Sequence, residues 1–430
     1  MSDKPVRVLS VCTSDSSGGA ARAAYRIHRA VQDLGVDSRM FVKQKGTDDP
    51  TVLTVDDFIP HHALYRGFDW ARNKVKNKWE HYVWGKYPER EKYFMSDLRS
   101  TDIGGALRKI DYDILHLHWI NLRFLPLEQL PKDKPIVWTL HDSWPFCGIC
   151  HLPLECKNYQ KICGHCPALY SETERDLAYR ILQKKHRIYD RLNLHIAAPS
   201  RWIGDCARKS ALLGAFDVQV IPNCIDTDLF SPGNRAQACI KLGLNPSKRH
   251  ILFGAMNATK DRNKGFHLLK EVIPHVIQDI PDETDLVIFG TGENIEMEFS
   301  GVNIIQLGLL KSQDAIVNAY RASDVTVVPS LSENLSCTIM ESLSCGTPVA
   351  AFNIGGNCEL IDHLSNGYLA REKDCEDLAK GIVWCLASSD NEFIKHNSRR
   401  KVLDHFTPKI VAAQYQELYQ RLTPKCSSTP

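Results

Sequence analysis

The chain opens with a short apolar stretch, a glycine-containing turn and an amphipathic stretch, in that order. Residues 6–12 are apolar and β-branched, residues 13–19 are polar and end in two glycines, and residues 20–34 place Ala, Arg and Leu at helical spacing. Gly35 ends the predicted helix, and residues 39–43 form the next predicted strand. This order is the opening of a doubly wound α/β domain, in which a crossover helix packs back onto a parallel sheet.

The same alternation occurs on both sides of a segment rich in Pro, Asn and Gly at residues 221–233. The further strands predicted before this segment are 114–118, 136–140, 194–198 and 218–221. The strands predicted after it are 250–254, 285–290, 304–307, 325–329 and 348–352, and helices are predicted at 265–278, 313–321 and 408–422. We therefore expect an α/β fold with two Rossmann-like domains that face each other across a cleft.

The domain limits that we predict follow from this break in the pattern. Residues 1–222 form a first Rossmann-like domain, residues 223–245 a linker, and residues 246–405 a second Rossmann-like domain. We expect residues 406–424 to form a C-terminal helix that packs back on the first domain. Ligands of such sheets bind beyond the carboxyl ends of the strands, and functional residues are therefore expected there.

The charge balance argues against a polyanionic partner. The 430 residues include 53 Lys and Arg against 51 Asp and Glu, which gives a formal net charge of +2. With charges this evenly balanced, we do not expect nucleic acid as a partner. The apolar stretch at residues 6–11 is too short for the core of a signal peptide, and we therefore expect a cytoplasmic protein.

Two glutamates lie around the predicted strand end at residue 329. Glu333 stands in a polar loop, and Glu341 lies inside a helix predicted to run from Leu335 to Gly346. The free N–H groups and the positive dipole end at the start of that helix suit a phosphate. Because eight positions do not return to the same helical face, the two carboxylates are expected to contact different parts of one long ligand.

The pattern Glu333-x7-Glu341, followed by Ser-x-x-x-Gly-Thr-Pro-Val, resembles the donor-site signature of family-4 glycosyltransferases. The resemblance implies a retaining, metal-independent transfer from a nucleotide-sugar on a double Rossmann-like (GT-B) fold. It implies that Glu333 contacts the donor sugar and that Glu341 holds the ribose hydroxyls. The diphosphate would bind the backbone amides of Asn334 and Leu335, although Asn-Leu-Ser replaces the Gly-Phe-Gly of many members.

A basic loop after the strand at 250–254 carries the second element of the resemblance. Lys264, just before Gly265, matches the diphosphate-binding lysine of the family. Ala255 stands where the family usually has an arginine, and Lys260 and Arg262 are the two candidates to replace it. Fixed cations at this position stabilise the charge that grows on the diphosphate as the glycosidic bond breaks.

Two further elements lie in the first half of the chain. The pair Gly18-Gly19 lets the chain turn tightly and lets a ligand approach the backbone, and in the family the equivalent loop lines the cleft. His141 follows the strand at 136–140, where family members often carry a histidine near the donor sugar. The resemblance implies that His141 contacts a sugar hydroxyl or polarises the transfer centre, whereas the leaving phosphate accepts the proton.

A cysteine-rich loop occupies residues 147–167, with five cysteines and two histidines. The spacing of Cys163 and Cys166 is typical of a metal knuckle, and Cys150 and Cys156 would complete a tetrahedral thiolate site for structural zinc. Cys147 and Cys150 form the other possible knuckle. Separately buried thiols, an iron–sulfur cluster and a redox role remain alternatives. The loop resembles that of a family subgroup associated with polysaccharide biosynthesis, where it would shape the acceptor side. A disulfide framework is not expected in the cytosol.

A basic and aromatic segment at residues 61–86 suits peripheral contact with a membrane surface. It holds six Lys and Arg residues against two acidic ones, together with several aromatic side chains. A helix packed on its own domain, with its lysines in water, is the alternative. A protein bound to the inner face of a membrane through this segment would still be cytoplasmic.

The predicted function is the transfer of a sugar from a UDP- or GDP-sugar to a carbohydrate or lipid-linked oligosaccharide acceptor, in polysaccharide biosynthesis. The predicted catalytic residues are His141, Glu333 and Lys264, and the transfer needs no cofactor. One alternative is a sugar-nucleotide epimerase on the same fold, which needs no acceptor. Another is a degenerate, non-catalytic and metal-bearing binding module, against which the intact Glu333, Glu341 and Lys264 argue.

Overall fold

The computed structural model describes residues 4–58, 78, 80–91, 103–257, 259–280, 284–293, 295 and 301–423. Its contacts divide the chain into two compact units. The first unit ends at Ile221, the second runs from Pro222 to Val411, and the chain from Ala412 onward belongs to the first unit again. None of the helices within the described residues is both long and apolar enough to cross a membrane.

The first unit contains a seven-stranded, fully parallel sheet with the strand order β3-β2-β1-β4-β5-β6-β7. Its strands are β1 Arg7–Ser14, β2 Asp37–Gln44, β3 Val52–Thr54, β4 Ile114–Leu117, β5 Pro135–Thr139, β6 Asn193–Ala198 and β7 Val218–Val220. Its helices are α1 Gly19–Asp33, α2 Gly104–Leu107, α3 Leu177–Tyr189 and α4 Arg201–Lys209. The central strands are buried on both faces, which explains their mostly apolar sequence.

The second unit contains a six-stranded parallel sheet with the order β10-β9-β8-β11-β12-β13. Its strands are β8 Arg249–Gly254, β9 Thr284–Phe289, β10 Asn303–Gly308, β11 Val325–Val328, β12 Val349–Phe352 and β13 Gly367–Ala370. Its helices are α5 Arg235–Leu242, α6 Phe266–Ile277, α7 Gln313–Ala322, α8 Cys337–Ser344, α9 Asn357–Leu360, α10 Cys375–Ser388 and α11 Glu392–His405. The last helix of the chain is α12 Pro408–Leu422.

The predicted α/β fold with two parallel sheets is confirmed, and most predicted elements lie within one or two residues of their predicted bounds. The short edge strands β3 and β13 were not predicted, because three or four residues carry too little alternation to read. The helix that we expected to begin at Leu335 begins at Cys337. The side chain of Ser336 caps it by accepting the N–H of Ile339.

The order of the strands reverses direction once in each sheet, between β1 and β4 and between β8 and β11. Crevices for ligands open at such a reversal, because the helices on its two sides leave to opposite faces of the sheet. The loops after β1 and β4 therefore flank one candidate site. The loops after β8 and β11 flank a second one.

Helix α12 attaches the end of the chain to the first sheet through two buried tyrosines. The hydroxyl of Tyr419 lies 2.7 Å from Nδ1 of His116, and that of Tyr415 lies 2.9 Å from Oγ1 of Thr139. Thr139 and His116 are themselves joined, with 2.7 Å between Oγ1 and Nε2. All four residues are buried, and each of these polar groups thus has the partner that burial demands.

We predict that Tyr419→Phe lowers the stability of the protein by about 2 kcal/mol, because Nδ1 of His116 then loses its partner inside the core. Urea unfolding followed by fluorescence measures this change. The control Tyr82→Phe alters a side chain that is 64% exposed and should change stability by less than about 0.5 kcal/mol. An equal effect of both substitutions contradicts the prediction.

Candidate active site

The loops that follow β8 and β11 are tied together at the strand reversal of the second sheet. The carbonyl oxygen of Asn263 accepts the N–H of Leu331, and its side-chain amide donates to the carbonyl oxygen of Ser332 at 2.9 Å. Gly265 has a φ of +74°, and a Cβ there would lie 1.8 Å from the carbonyl oxygen of Pro329. Only glycine fits at this position, and the short turn Arg262–Lys264 is thereby held against the end of β11.

Lys264 and Glu333, predicted from separate motifs, form an ion pair in these loops. Nζ of Lys264 lies 2.7 Å from Oε1 of Glu333, and the hydroxyl of Ser330 donates to the same oxygen at 2.9 Å. Burial alone lowers the pKa of Lys264, but the attraction and hydrogen bond of Glu333, together with the charge of Asp261, outweigh it and raise the pKa above its ordinary value. The site therefore holds a positively charged ammonium group at neutral pH.

The backbone at Glu333 is fixed by the turn after β12. The carbonyl oxygen of Glu333 accepts the N–H of Gly356, and a Cβ at Gly355 would lie 1.8 Å from that oxygen. Glu333 lies in the loop before α8, whereas Glu341 lies inside the helix, as their spacing predicts. The two carboxylates are thus held by different elements of the second unit.

Glu341 is more enclosed than the sequence suggested, since only 2% of it is exposed. Its Oε2 accepts a hydrogen bond of 3.0 Å from the hydroxyl of Tyr320, a buried residue of α7. Sequence reasoning missed Tyr320, although its position on the predicted helix 313–321 next to the strand 325–329 is a weak signal for contact with this site. The hydrogen bond fixes the rotamer of Glu341 and leaves its other oxygen to other groups.

The remaining residues of this unit that were predicted to bind the nucleotide-sugar differ in solvent exposure. Lys260 is exposed and forms an ion pair with Glu293 at 2.7 Å, and Arg262 is also exposed. An ion pair between exposed groups contributes little energy, and Lys260 therefore stays available to a ligand. Asn334 is half-buried, whereas the side chain of Leu335 belongs to the hydrophobic core.

The loop after β1 is braced from behind by one buried aspartate. Asp15 accepts the N–H of Gly46 at 2.8 Å and both the N–H and the hydroxyl of Thr47, the latter at 2.6 Å. Burial alone raises the pKa of Asp15, but these hydrogen bonds outweigh it and lower the pKa. Gly18 then turns the chain with a φ of +97° into α1, and a Cβ at Gly19 would meet open space.

His141 lies two residues after the end of β5 and pairs with a second histidine. Its Nε2 lies 3.0 Å from Nδ1 of His118, which follows β4. Burial lowers the pKa of His141 to about 4, and the imidazole is therefore neutral at pH 7. Sequence reasoning singled out His141 and gave His118 no role.

Asp142 joins three segments of the first unit around His141. Its Oδ2 accepts the indole N–H of Trp119 at 2.6 Å and lies 2.8 Å from Nδ1 of His151, and its Oδ1 accepts the N–H of Trp144 at 2.9 Å. These contacts attach the cysteine-rich loop to the ends of β4 and β5. The sequence signal that could reveal Asp142 is that polar residues follow the ends of two neighbouring strands, β4 and β5.

The cysteine-rich loop gathers its thiols around one pocket, which is lined by Cys147, Cys150, Cys156, Cys163 and Cys166. No disulfide joins the cysteines of the described chain. In the same described part, no three His, Cys, Asp or Glu side chains are arranged to hold a metal ion, and this arrangement does not support the predicted zinc site. Beside this pocket, the buried Lys185 donates to the carbonyl oxygen of Cys147 at 2.7 Å and to that of Trp144.

Two family profiles match this chain. Residues 17–229 match the profile described as "Glycosyltransferase Family 4", and residues 247–388 match the one described as "Glycosyl transferases group 1". The chain belongs to glycosyltransferase family 4. The resemblance drawn from Lys264, Glu333 and Glu341 is thereby confirmed at the level of the family.

Individual relatives of this family-4 chain are distant. It is 24% identical over 286 residues to "Putative colanic acid biosynthesis glycosyl transferase WcaC" of Escherichia coli K12, an alignment that covers 63% of this chain and 66% of the relative. It is 27% identical over 265 residues to "D-inositol 3-phosphate glycosyltransferase" of Mycolicibacterium gilvum PYR-GCK, which covers 57% of this chain and 52% of the relative. The chain thus spans about half to two thirds of the length of these relatives.

Solved structures resemble the whole chain. Anabaena Alr3699/HepE in complex with UDP-glucose has a TM-score of 0.61 at 16% identity, with 97% of this chain and 100% of that chain covered. At this level of identity the likeness shows the fold alone. The two parallel sheets are those of the GT-B fold.

We predict that the protein loses stability as the pH falls from 7 to 5.5. Burial lowers the pKa of His28 and His141 to about 4 and that of His116 to about 3, whereas an unfolded histidine titrates near 6.5. The unfolded chain therefore binds more protons in this range, and each such histidine costs about 1 kcal/mol of stability at pH 5.5.

Urea unfolding at pH 7.0, 6.25 and 5.5 and constant ionic strength measures this dependence. Most carboxylates stay ionised over the range, and the histidines therefore dominate the slope. A free energy of unfolding that stays level or rises as the pH falls contradicts the prediction.

Proposed function

We propose that this protein catalyses the retaining transfer of a sugar from a nucleotide-sugar donor to a carbohydrate or lipid-linked oligosaccharide acceptor. The observation that carries the proposal is the Lys264–Glu333 pair at the strand reversal of the second sheet, in a chain of family 4. In this proposal Lys264 binds the diphosphate, Glu333 the donor sugar and Glu341 the ribose.

The chemistry of this pair fits a diphosphate leaving group. The partly buried carboxylate of Glu333 keeps the ammonium group of Lys264 charged and in place before the donor binds. As the bond between the anomeric carbon and the phosphate breaks, negative charge grows on the diphosphate, and a fixed cation stabilises it at no cost of rearrangement. Asn334 and Leu335 would add backbone N–H groups, and Lys260 or Arg262 a second positive charge.

His141 is proposed to contact the transferred sugar from the first unit, where Gly18 and Gly19 would also line the donor site. A neutral imidazole can donate one hydrogen bond and accept another, and it adds no charge beside the cationic transition state. The leaving phosphate then takes the proton of the acceptor hydroxyl, as the family resemblance implies. No metal ion takes part in this transfer.

The proposal extends to the chemical class of the donor and of the acceptor. The complex of Alr3699/HepE with UDP-glucose supports a UDP-sugar as the donor, and a GDP-sugar stays the predicted alternative. A carbohydrate or lipid-linked acceptor in polysaccharide assembly is supported by the likeness to a colanic acid biosynthesis protein. Peripheral membrane contact through residues 61–86, in a cytoplasmic protein, stays a prediction, since most of this segment lies outside the described residues.

We predict that His141→Ala lowers the turnover number by on the order of a hundredfold and leaves donor affinity within about threefold, because the lost contact acts on the reacting sugar. Turnover is measured by release of nucleoside diphosphate with acceptor present, and affinity by calorimetry. His186→Ala, which alters an exposed histidine of α3, is the control that should change neither.

An unchanged turnover number in His141→Ala removes the proposed role of His141. Product analysis by NMR tests the reaction itself, since retention gives a glycoside with the anomeric configuration of the donor. An epimerised nucleotide-sugar that forms without any acceptor would contradict the proposal.

We also propose that Cys150, Cys156, Cys163 and Cys166 hold a structural zinc ion. The thiol of Cys150 and the backbone N–H groups of Leu169 and Ala168 form hydrogen bonds to Cys166 that lower its pKa, although burial opposes them. Burial raises the pKa of Cys156 and Cys163, and backbone N–H groups that reach their sulfur atoms offset part of this rise. Such N–H···S contacts stabilise thiolates, which are the form that zinc binds.

We predict about one equivalent of zinc in protein purified without chelators, because four thiolates bind structural zinc tightly. Metal analysis of the wild type, of Cys166→Ser and of Cys358→Ser tests this. Cys166→Ser should lose the metal, and the exposed Cys358 should be dispensable. Less than about a tenth of an equivalent in the wild type rejects the site.

A further inference from the structure

His118 lies at the end of β4 and is almost wholly enclosed, with 2% of it exposed. Its Nδ1 faces Nε2 of His141 at 3.0 Å. Its Nε2 is also buried and has no hydrogen-bond partner within the described part of the chain. The two ring nitrogens of His118 thus have different surroundings, and this difference decides where the proton resides.

Hydrogen bonds fix the backbone of His118, and a neighbouring ring packs on its side chain. The backbone N–H of His118 donates to the carbonyl oxygen of Val11 at 2.9 Å, and the backbone carbonyl oxygen of His118 accepts the indole N–H of Trp138 at 3.1 Å. The ring of His116 packs on the His118 ring, with 4.1 Å between centroids. Both nitrogens of His116 are engaged by Thr139 and Tyr419, and His116 therefore offers no partner to Nε2 of His118.

Burial lowers the pKa of both His118 and His141, and each imidazole is neutral at pH 7. A neutral imidazole carries one N–H, and the contact between the rings can therefore be made in two ways. If His141 donated from Nε2, the N–H of His118 would have to be at Nε2, where it would be a buried donor without an acceptor. If His118 donates from Nδ1, only an acceptor lone pair is left at its Nε2. An orphaned buried donor is the rarer and costlier case, and the second arrangement is therefore favoured.

We propose that His118 is a positioning residue that donates its Nδ1–H to Nε2 of His141 and thereby holds His141 as the Nδ1–H tautomer. His141 then presents a hydrogen-bond donor to the ligand. This inference rests on the proposed contact of His141 with the donor sugar. A neutral histidine with its proton on Nδ1 cannot take a proton at that atom, and the recipient of the acceptor's proton is thus another group, in keeping with the leaving phosphate.

Nitrogen-15 NMR of the full-length protein tests the tautomer directly, because protonated and unprotonated ring nitrogens have well-separated shifts. We expect His141, assigned with the His141→Gln variant, to show a protonated Nδ1 and an unprotonated Nε2 near pH 7. A protonated Nε2 on His141 overturns the proposal. This measurement needs no activity, and it therefore stands even if the proposed transfer does not occur.

Two variants of His118 test the consequence for turnover. In His118→Asn the side-chain amide takes the place of the Nδ1–H donor. We expect the turnover number to stay within about threefold of the wild type and the His141 tautomer to be unchanged. In His118→Leu the donor is lost, and we expect turnover to fall by on the order of tenfold or more, with KM for the donor nearly unchanged.

The outcomes separate this inference from the function on which it rests. Equal loss of turnover in both variants, with unfolding midpoints near that of the wild type, means that His118 acts only through packing and overturns the proposal. If His141 shows the Nδ1–H tautomer but His141→Ala leaves the turnover number unchanged, the proposed contact of His141 with the sugar is wrong instead.

Discussion

The structure depends on one constraint, namely that parallel strands all end at the same edge of their sheet. In the first unit this brings together the loops after β1, β4 and β5, which carry Gly18, His118 and His141. In the second unit it brings together the loops after β8 and β11, which carry Lys264 and Glu333. Residues far apart in sequence thus meet at the strand reversals, where sheets of this type bind ligands.

The polar residues of the two candidate sites are kept in place by hydrogen bonds from other segments of the chain. Glu341 is held by Tyr320, and the side chain of Asp142 by Trp119 and His151. Leaving a buried polar group without a partner destabilises the fold by more than the hydrogen bond itself stabilises it. These contacts therefore favour one geometry of the site. Helix α12 extends the same principle to the end of the chain through its tyrosines.

Much of this arrangement could be predicted from sequence, because local patterns carry it. Apolar strands with glycine turns gave the two sheets, and loops at strand ends gave the positions of Lys264 and Glu333. The contact of Tyr320 with Glu341 and that of Tyr419 with His116 could not be predicted, because the local sequence of a helix does not specify which strand it will cover. Tyr419 and His116 are 303 residues apart. The arrangement of the thiols in the cysteine-rich loop depends likewise on the packing of turns, which spacing alone does not determine.

In the proposed transfer, Lys264 is the cation that receives the diphosphate. Calorimetry with UDP and uridine, and with GDP and guanosine, on the wild type and on Lys264→Met isolates this role, because the two ligands of each pair differ only in the diphosphate. We predict that the substitution weakens binding of the nucleoside diphosphate by roughly tenfold or more and leaves that of the nucleoside unchanged. Equal affinities of wild type and variant for the diphosphate would contradict the account.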